Sequence, residues 1–291
     1  MPTRKKTAAR PSTPSNCPHP KGTLIAIGGH EQKDLKAKDN EMADDSILQH
    51  FVAALHGDGP VVILPTASEE PENAAKDYVR AFGELGVKRV EVLNIVSREE
   101  ADNPDCLQLL DEAAGVMFTG GDQLRLTAIL GGTEMLRRLK ERYAYSHFVI
   151  AGTSAGAAAM STPMIYQGRN DAGFVKDEIH VTTGLQFMHD VAIDTHFVAR
   201  GRIVRMAQII ATNPGCIGLG LEEDTAVIVT EGCEMQVIGN GLVVIVDGRD
   251  CAGNTIHEVR PGEVFSIRDL RVHLLAKGQR YSIPVQQQLY V

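Results

Sequence analysis

The 291-residue chain carries 29 basic against 37 acidic residues, a net charge of −8. That balance argues against general nucleic-acid binding and requires any cationic site to be local. Its 43% hydrophobic and 23% charged residues suit an ordinary globular protein, and no apolar run approaches the roughly 20 residues that span a bilayer.

The N-terminal stretch is basic, rich in Pro and Ser, and has no apolar segment of the kind found in a secretory leader. Residues 1–21 are expected to form a disordered tail. The cysteines (Cys17, Cys106, Cys216, Cys233 and Cys251) are odd in number and scattered, without a C-x-x-C pair. They suggest neither a disulfide framework nor a zinc site, and they point to a reducing, cytoplasmic setting. No cofactor is expected.

Thr23 to Ile27 reads as a buried strand closed by Gly28-Gly29-His30-Glu31, a turn that lacks the third glycine of a dinucleotide fingerprint. A helical pattern over 42–56 precedes a second buried strand from Pro60 to Pro65. Helix 71–86, strand Arg89 to Leu93, helix 103–113 and strand Gly115 to Thr119 follow. That last strand runs into Gly120-Gly121-Asp122-Gln123, and a helical pattern then continues to about 141. Continuous apolar strands alternating with helices predict a mostly parallel sheet covered on both faces. Ligands of such sheets bind outside the carboxyl ends of the strands.

The chain is organised around His147 to Met160, HFVIAGTSAGAAAM. An apolar run ends in Gly152-Thr153-Ser154-Ala155-Gly156 and an alanine-rich segment follows, the strand, sharp turn and helix of a G-x-S-x-G nucleophile elbow. Gly152 and Gly156 allow strand and helix to pass close together. The Ala155 N–H is placed to stabilise an oxyanion, and the Gly120-Gly121-Asp122 turn offers a second donor at Asp122. A short Gly-Ser-Ala turn that only reverses the chain is the competing reading, so the remaining residues must decide.

Residues 166–186 are polar and glycine-punctuated, an excursion beside the cleft with room for a short hairpin. Val191 to Ile193 forms a brief strand leading into Asp194-Thr195-His196-Phe197, with a helical pattern continuing to about Thr212. Ile217 to Leu221 and Ala226 to Thr230 are strands around Glu222-Glu223-Asp224. Residues 233–291 change character to short β-like runs, with turns at Gly239-Asn240-Gly241 and Asp247-Gly248. The expected organisation is one α/β domain over 22–291 with an antiparallel β-rich extension from 233.

A serine nucleophile needs a base, and the base needs an orienting group. His196, after a predicted strand and beside Asp194, is the best-placed histidine, and the Glu222-Glu223-Asp224 turn offers the carboxylate. The order Ser, His, acid departs from the Ser, acid, His order of α/β-hydrolases. A serine rather than a cysteine at the elbow disfavours amidotransferase thiol chemistry. Arg200, Arg202 and Arg205 follow His196 on one predicted helix, where 196 and 200 are i,i+4 neighbours. Guanidinium forks suit carboxylate recognition.

Together these stretches resemble cyanophycinase, of the serine peptidase group that also contains the α-aspartyl dipeptidases. The resemblance covers about Leu24 to Val229 and rests on the joint spacing of Gly28-Gly29, Gly120 to Gln123, Gly152 to Gly156, Asp194 to Phe197 with its arginines, and Gly220 to Ala226. It implies a flavodoxin-like fold, similar to that of class I glutamine amidotransferases, and a homodimer. It also implies a Ser154–His196–Glu223 triad, with Glu223 preferred to Glu222 because it stands two places before Thr225-Ala226. The implied substrate is cyanophycin, arginine-bearing poly-aspartate, and the implied product is β-Asp-Arg. Gln123, Asp194, Arg200, Arg202 and Arg205 match substrate-recognition positions, Asp194 being expected to meet a substrate guanidinium and the arginines its carboxylates. Thr195 departs from the glutamine common in the family. The rivals are an α-aspartyl dipeptidase and a catalytically silent binding protein of the same fold.

Overall fold

The computed structural model describes residues 19–33, 46–169 and 172–284. The expected tail therefore lies outside the described residues over 1–18, as does the start of the 42–56 helix. Residues 19–21 are tied down: the His19 ring meets the Glu231 carbonyl at 3.1 Å and the Lys21 N–H donates to Ala144 O at 3.2 Å.

The first half alternates strands and helices. It runs β1 (Thr23–Ile27), α1 (Ile47–Ala53), β2 (Val61–Leu64), α2 (Pro71–Glu84), β3 (Val90–Val92), α3 (Arg98–Ala101) and α4 (Pro104–Glu112). It continues through β4 (Gly115–Phe118), α5 (Gln123–Leu130), α6 (Glu134–Tyr145), β5 (Val149–Thr153) and α7 (Ala155–Ala159). Local chemistry starts the helices where the sequence places them: Ser46 and Asn103 cap α1 and α4, and Pro71 and Pro104 occupy first-turn positions that need no N–H. The single helical pattern expected to about 141 is two helices, α5 and α6, parted at Gly131-Gly132, where Gly132 has φ +74°.

The second half is strand-rich. It holds β6 (Ser161–Thr162), β7 (Met164–Gly168), β8 (Ile179–Thr182), β9 (Met188–His189), β10 (Val191–Thr195) and α8 (Ile203–Thr212). Then come β11 (Ile217–Leu221), β12 (Thr225–Thr230), β13 (Glu234–Gly239), β14 (Val243–Asp247), β15 (Arg271–Leu275) and β16 (Arg280–Ser282). β7 and β8 pair antiparallel, a hairpin in the polar excursion.

The strands form two large sheets where the sequence suggested one. The eight-stranded sheet has the order β16-β13-β12-β1-β5-β4-β2-β3, parallel from β1 to β3 and antiparallel on the other side. The six-stranded sheet has the order β15-β14-β11-β10-β6-β9. The C-terminal strands are divided between them, β13 and β16 extending the first and β14 and β15 the second. A parallel strand pair in the second sheet, β10 and β11, is joined through α8, the ordinary crossover connection.

The parity of each strand explains the layers, because successive side chains point to opposite faces. Ile25, Ile27, Ile63, Met117 and Ala151 face α1 and α2, packing on Phe51, Tyr78 and Phe82. Leu24, Ala26, Leu64, Phe118 and Ile150 face the other way, onto Leu110, Leu126, Leu139 and the inner face of the second sheet. That sheet turns Ala192, Val244 and Val246 outward onto Met206, Ile209 and Ile210 of α8. The result is a mixed α/β fold whose mostly parallel sheet is covered on both faces.

Candidate active site

Four chain segments converge at the carboxyl ends of β1, β5 and β10 and at the turn between β11 and β12. Backbone hydrogen bonds lock them to one another. The Ser154 N–H donates to Ile27 O at 3.0 Å, the His196 N–H to Gly28 O at 3.0 Å, and the Asp224 N–H to Gly29 O at 2.8 Å. The turn after β1 is thus the common support for the residues that follow the other strands.

At the elbow, a Cβ on Gly152 would stand 2.6 Å from the Gly156 carbonyl, and one on Gly156 would stand 2.8 Å from Phe118 Cβ. Both are below any tolerable contact, so the two glycines are what lets α7 lie against β5 and β4. Ser154 is held at φ 50° and ψ −110°. His30, His196 and Asp224 also adopt left-handed φ values, of 52°, 50° and 49°. For non-glycine residues each such conformation costs on the order of 1–3 kcal/mol. Three of the four, His30, Ser154 and His196, line one pocket.

The Ser154 Oγ lies 3.0 Å from His196 Nε2, and His196 Nδ1 lies 2.6 Å from Glu223 Oε1. A carboxylate only accepts, so Nδ1 carries the ring proton and donates it to Glu223, leaving Nε2 free to accept from the serine hydroxyl. Glu222 does something else. Its carboxylate accepts the N–H groups of Val198 and Ala199 and so pins the turn that carries His196. Burial pushes the His196 imidazole below its usual range, with Arg200 and His30 adding to the effect and Glu223 opposing it. The hydrogen bonds from His196, and then from His30, hold the Glu223 carboxyl low.

Two cavities open on either side of Ser154, of about 300 Å³ and about 320 Å³. The first is lined by His30, Glu31, Lys33, Tyr78 and Thr153 along with Ser154 and His196. Its floor is polar and closed: Glu31, 3% exposed, accepts from Thr153 Oγ1 at 2.7 Å and from the Tyr78 hydroxyl, and pairs with Lys33 Nζ at 3.2 Å. Nothing in the sequence marks this network, in which Glu31 is simply the last residue of the Gly28-Gly29-His30-Glu31 turn.

The second cavity is lined by Gln123, Ala155, Asp194, Arg200, Arg202 and Arg205, so the arginines and the serine do share one space. The helix expected to present them does not start at His196. Residues 196–202 form a turn, with His196 and Gly201 at left-handed φ and the amides of 198 and 199 drawn to Glu222, and α8 begins at Ile203. Only Arg205 stands within that helix.

Asp194 also differs from expectation. It is 2% exposed and its carboxylate is occupied by Arg205 Nε at 2.5 Å, by Arg205 Nη2, and by Arg202 Nη1 at 2.8 Å. It holds two guanidinium groups in place, so its charge is matched by arginines of this chain where the sequence suggests a substrate guanidinium. Arg200 is exposed, and its guanidinium has no ion pair with the described residues. Gln123 Nε2 donates to Ile165 O at 2.9 Å, which fastens the β7–β8 hairpin over the cavity. The Asp122 N–H is spent on Ala67 O at 2.8 Å, so it is not available to an oxyanion.

A hydroxyl, an imidazole and a carboxylate in hydrogen-bonded series beside a cationic pocket are the groups of an acyl-transferring hydrolase. The chain belongs to peptidase family S51, which residues 24–237 match. It is a peptidase. It is 33% identical over 268 residues to a cyanophycinase of Synechococcus elongatus, covering 92% of this chain and 81% of that one. With a cyanophycinase of Geminocystis herdmanii it shares 31% identity, over 92% of this chain and 96% of the other. The crystal structure of a peptidase from an acI-B1 Actinobacterium superposes with a TM-score of 0.64 at 23% identity, covering 92% of this chain and 99% of that one. A putative peptidase E from Listeria monocytogenes gives 0.51 at 20% identity, over 75% and 98%. These two structural likenesses establish the fold.

Proposed function

We propose that the protein is a serine peptidase that hydrolyses cyanophycin to β-Asp-Arg dipeptides through an acyl-enzyme. The observation that carries this reading is the Ser154–His196–Glu223 series at 3.0 and 2.6 Å. His196 Nε2 takes the Ser154 proton as Oγ attacks an α-aspartyl peptide carbonyl. The resulting imidazolium, held by Glu223, returns that proton to the leaving amine, and water repeats the sequence to free the acid. The Ala155 N–H faces the oxyanion. Gly121, which lines the same cavity, takes the place foreseen for Asp122. Each such donor contributes roughly 10²–10³ in rate.

Specificity follows from the second cavity. Arg202 and Arg205 neutralise Asp194 with one positive charge in excess, and Arg200 adds another. Each backbone β-carboxyl of cyanophycin is in amide linkage to arginine, so the polymer's free carboxylates are those of its arginines, and these suit the cationic surface better than a neutral peptide does. The cyanophycinases at 31–33% identity support cyanophycin as that polymer. A homodimer in the cytoplasm belongs to the same reading.

The test is to incubate the protein with purified cyanophycin and, separately, with short Asp-X dipeptides, and to identify the products by mass. Release of β-Asp-Arg is the expected result. Cleavage of the dipeptides with cyanophycin left intact would replace this reading with an α-aspartyl dipeptidase.

A further inference from the structure

The Glu223 carboxylate serves two histidines. His30 Nδ1 lies 3.1 Å from Oε1, the same oxygen that His196 Nδ1 meets at 2.6 Å. The His30 and His196 rings stand edge to face with centroids 5.0 Å apart. One donor atom from each of the three residues falls within 4.8 Å of the others. A Cβ on Gly29 would lie 2.4 Å from the His196 ring, so the chain before His30 passes directly beside that imidazole and cannot stand off from it. The His30 side chain is 71% exposed, which leaves solvent-filled space around its ring.

We infer that His30, His196 and Glu223 form an inhibitory site for a borderline divalent metal such as Zn²⁺. Two imidazole nitrogens and one carboxylate oxygen, with water in the fourth position, are a donor set that zinc accepts at roughly 2.0–2.2 Å per ligand. The ion replaces the two N–H···O contacts at Glu223 and draws the three donors around itself. The charge of Glu223 favours it. Asp224 does not compete for the ion, because its carboxylate accepts from the Gln32 N–H at 3.3 Å and from Asn240 Nδ2 at 2.7 Å. Arg200 is the opposing cation and lines the same cavity as His30 and His196, where it is exposed to solvent screening.

Inhibition follows from the ring's proton count. In the free enzyme the neutral His196 ring carries its proton on Nδ1 and accepts from Ser154 at Nε2. With the metal on Nδ1, that proton moves to Nε2. Nε2 then becomes a donor towards Ser154 Oγ and can no longer take the hydroxyl proton. No proton is gained or lost by the neutral ring, and no bond other than the metal contacts is made.

The experiment is calorimetric titration with Zn²⁺ of the Ser154→Ala protein, paired with Zn²⁺ inhibition of the wild-type enzyme. The calorimetric arm is independent of which peptide is hydrolysed, so failure of the cyanophycin reading leaves it intact. One equivalent should bind, wild-type turnover should fall at least tenfold at saturation, and EDTA should restore it. His30→Asn, chosen because Asn tolerates a left-handed φ, should weaken the binding at least tenfold, with circular dichroism confirming the fold. No binding in either folded protein, or equal affinity with and without His30, would overturn the site.

Discussion

The two sides of Ser154 are built by different means. On the His196 side, position is set by backbone: left-handed residues after three strands, and main-chain bonds that tie Ile27, Gly28 and Gly29 to the serine, the histidine and the β11–β12 turn. On the arginine side, position is set by side chains, with one buried carboxylate, Asp194, gathering Arg202 and Arg205. Backbone-held geometry tolerates the loss of a functional atom without loss of fold. Geometry held by a buried charge does not, because removing one partner leaves the other uncompensated in a low-dielectric interior.

Substitutions can break this contrast, the largest effect first. Ser154→Ala should lower turnover by about 10⁴-fold or more with no change in melting temperature, since the Ser154 hydroxyl caps nothing. Steady-state kinetics and thermal melts on the same preparation check it. Asp194→Asn should behave in the opposite sense. It removes a charge that two guanidinium groups depend on and should cost about 3–5 kcal/mol of stability, measured by denaturant unfolding, with activity lost only as the pocket loosens.

Arg200→Ala sharpens the comparison, because that arginine is exposed and unpaired by ions among the described residues. It should leave stability unchanged and raise KM for an anionic substrate by about tenfold, the worth of one charge-assisted contact. The smallest effect concerns pH. His196 must be neutral to act as base, and its depressed pKa keeps it neutral further into acid. The acid limb of kcat/KM should therefore have its midpoint below the ordinary histidine value of about 6.5. A midpoint above it would mean that Glu223 outweighs burial.

The same contrast explains what the sequence revealed. Strand–turn–helix signals such as GTSAG and the glycine-closed strands are local and single out Ser154 and His196. Glu223 is singled out from its acidic neighbours only by the family resemblance, and the three residues do meet in space. Long-range side-chain choices were not legible. Nothing local shows that the carboxylate of Glu222 draws the amides of Val198 and Ala199 out of a helix, or that Asp194 turns inward to Arg205 and not outward to a ligand. The Asp122 N–H likewise answers to Ala67, 55 positions away in a different loop. The division into two sheets is not legible in the sequence for a related reason. Alternating apolar strands report that a face is buried, and the partner that buries it is settled only by tertiary packing.

The account turns on Ser154 being an activated nucleophile. The most direct measurement is labelling of the folded protein with a fluorophosphonate, with the adduct mapped by mass spectrometry, in wild type and in His196→Ala. The prediction is a single adduct on Ser154 in wild type, formed far more slowly when the imidazole is gone. An adduct elsewhere, or none on correctly folded wild-type protein, would contradict it.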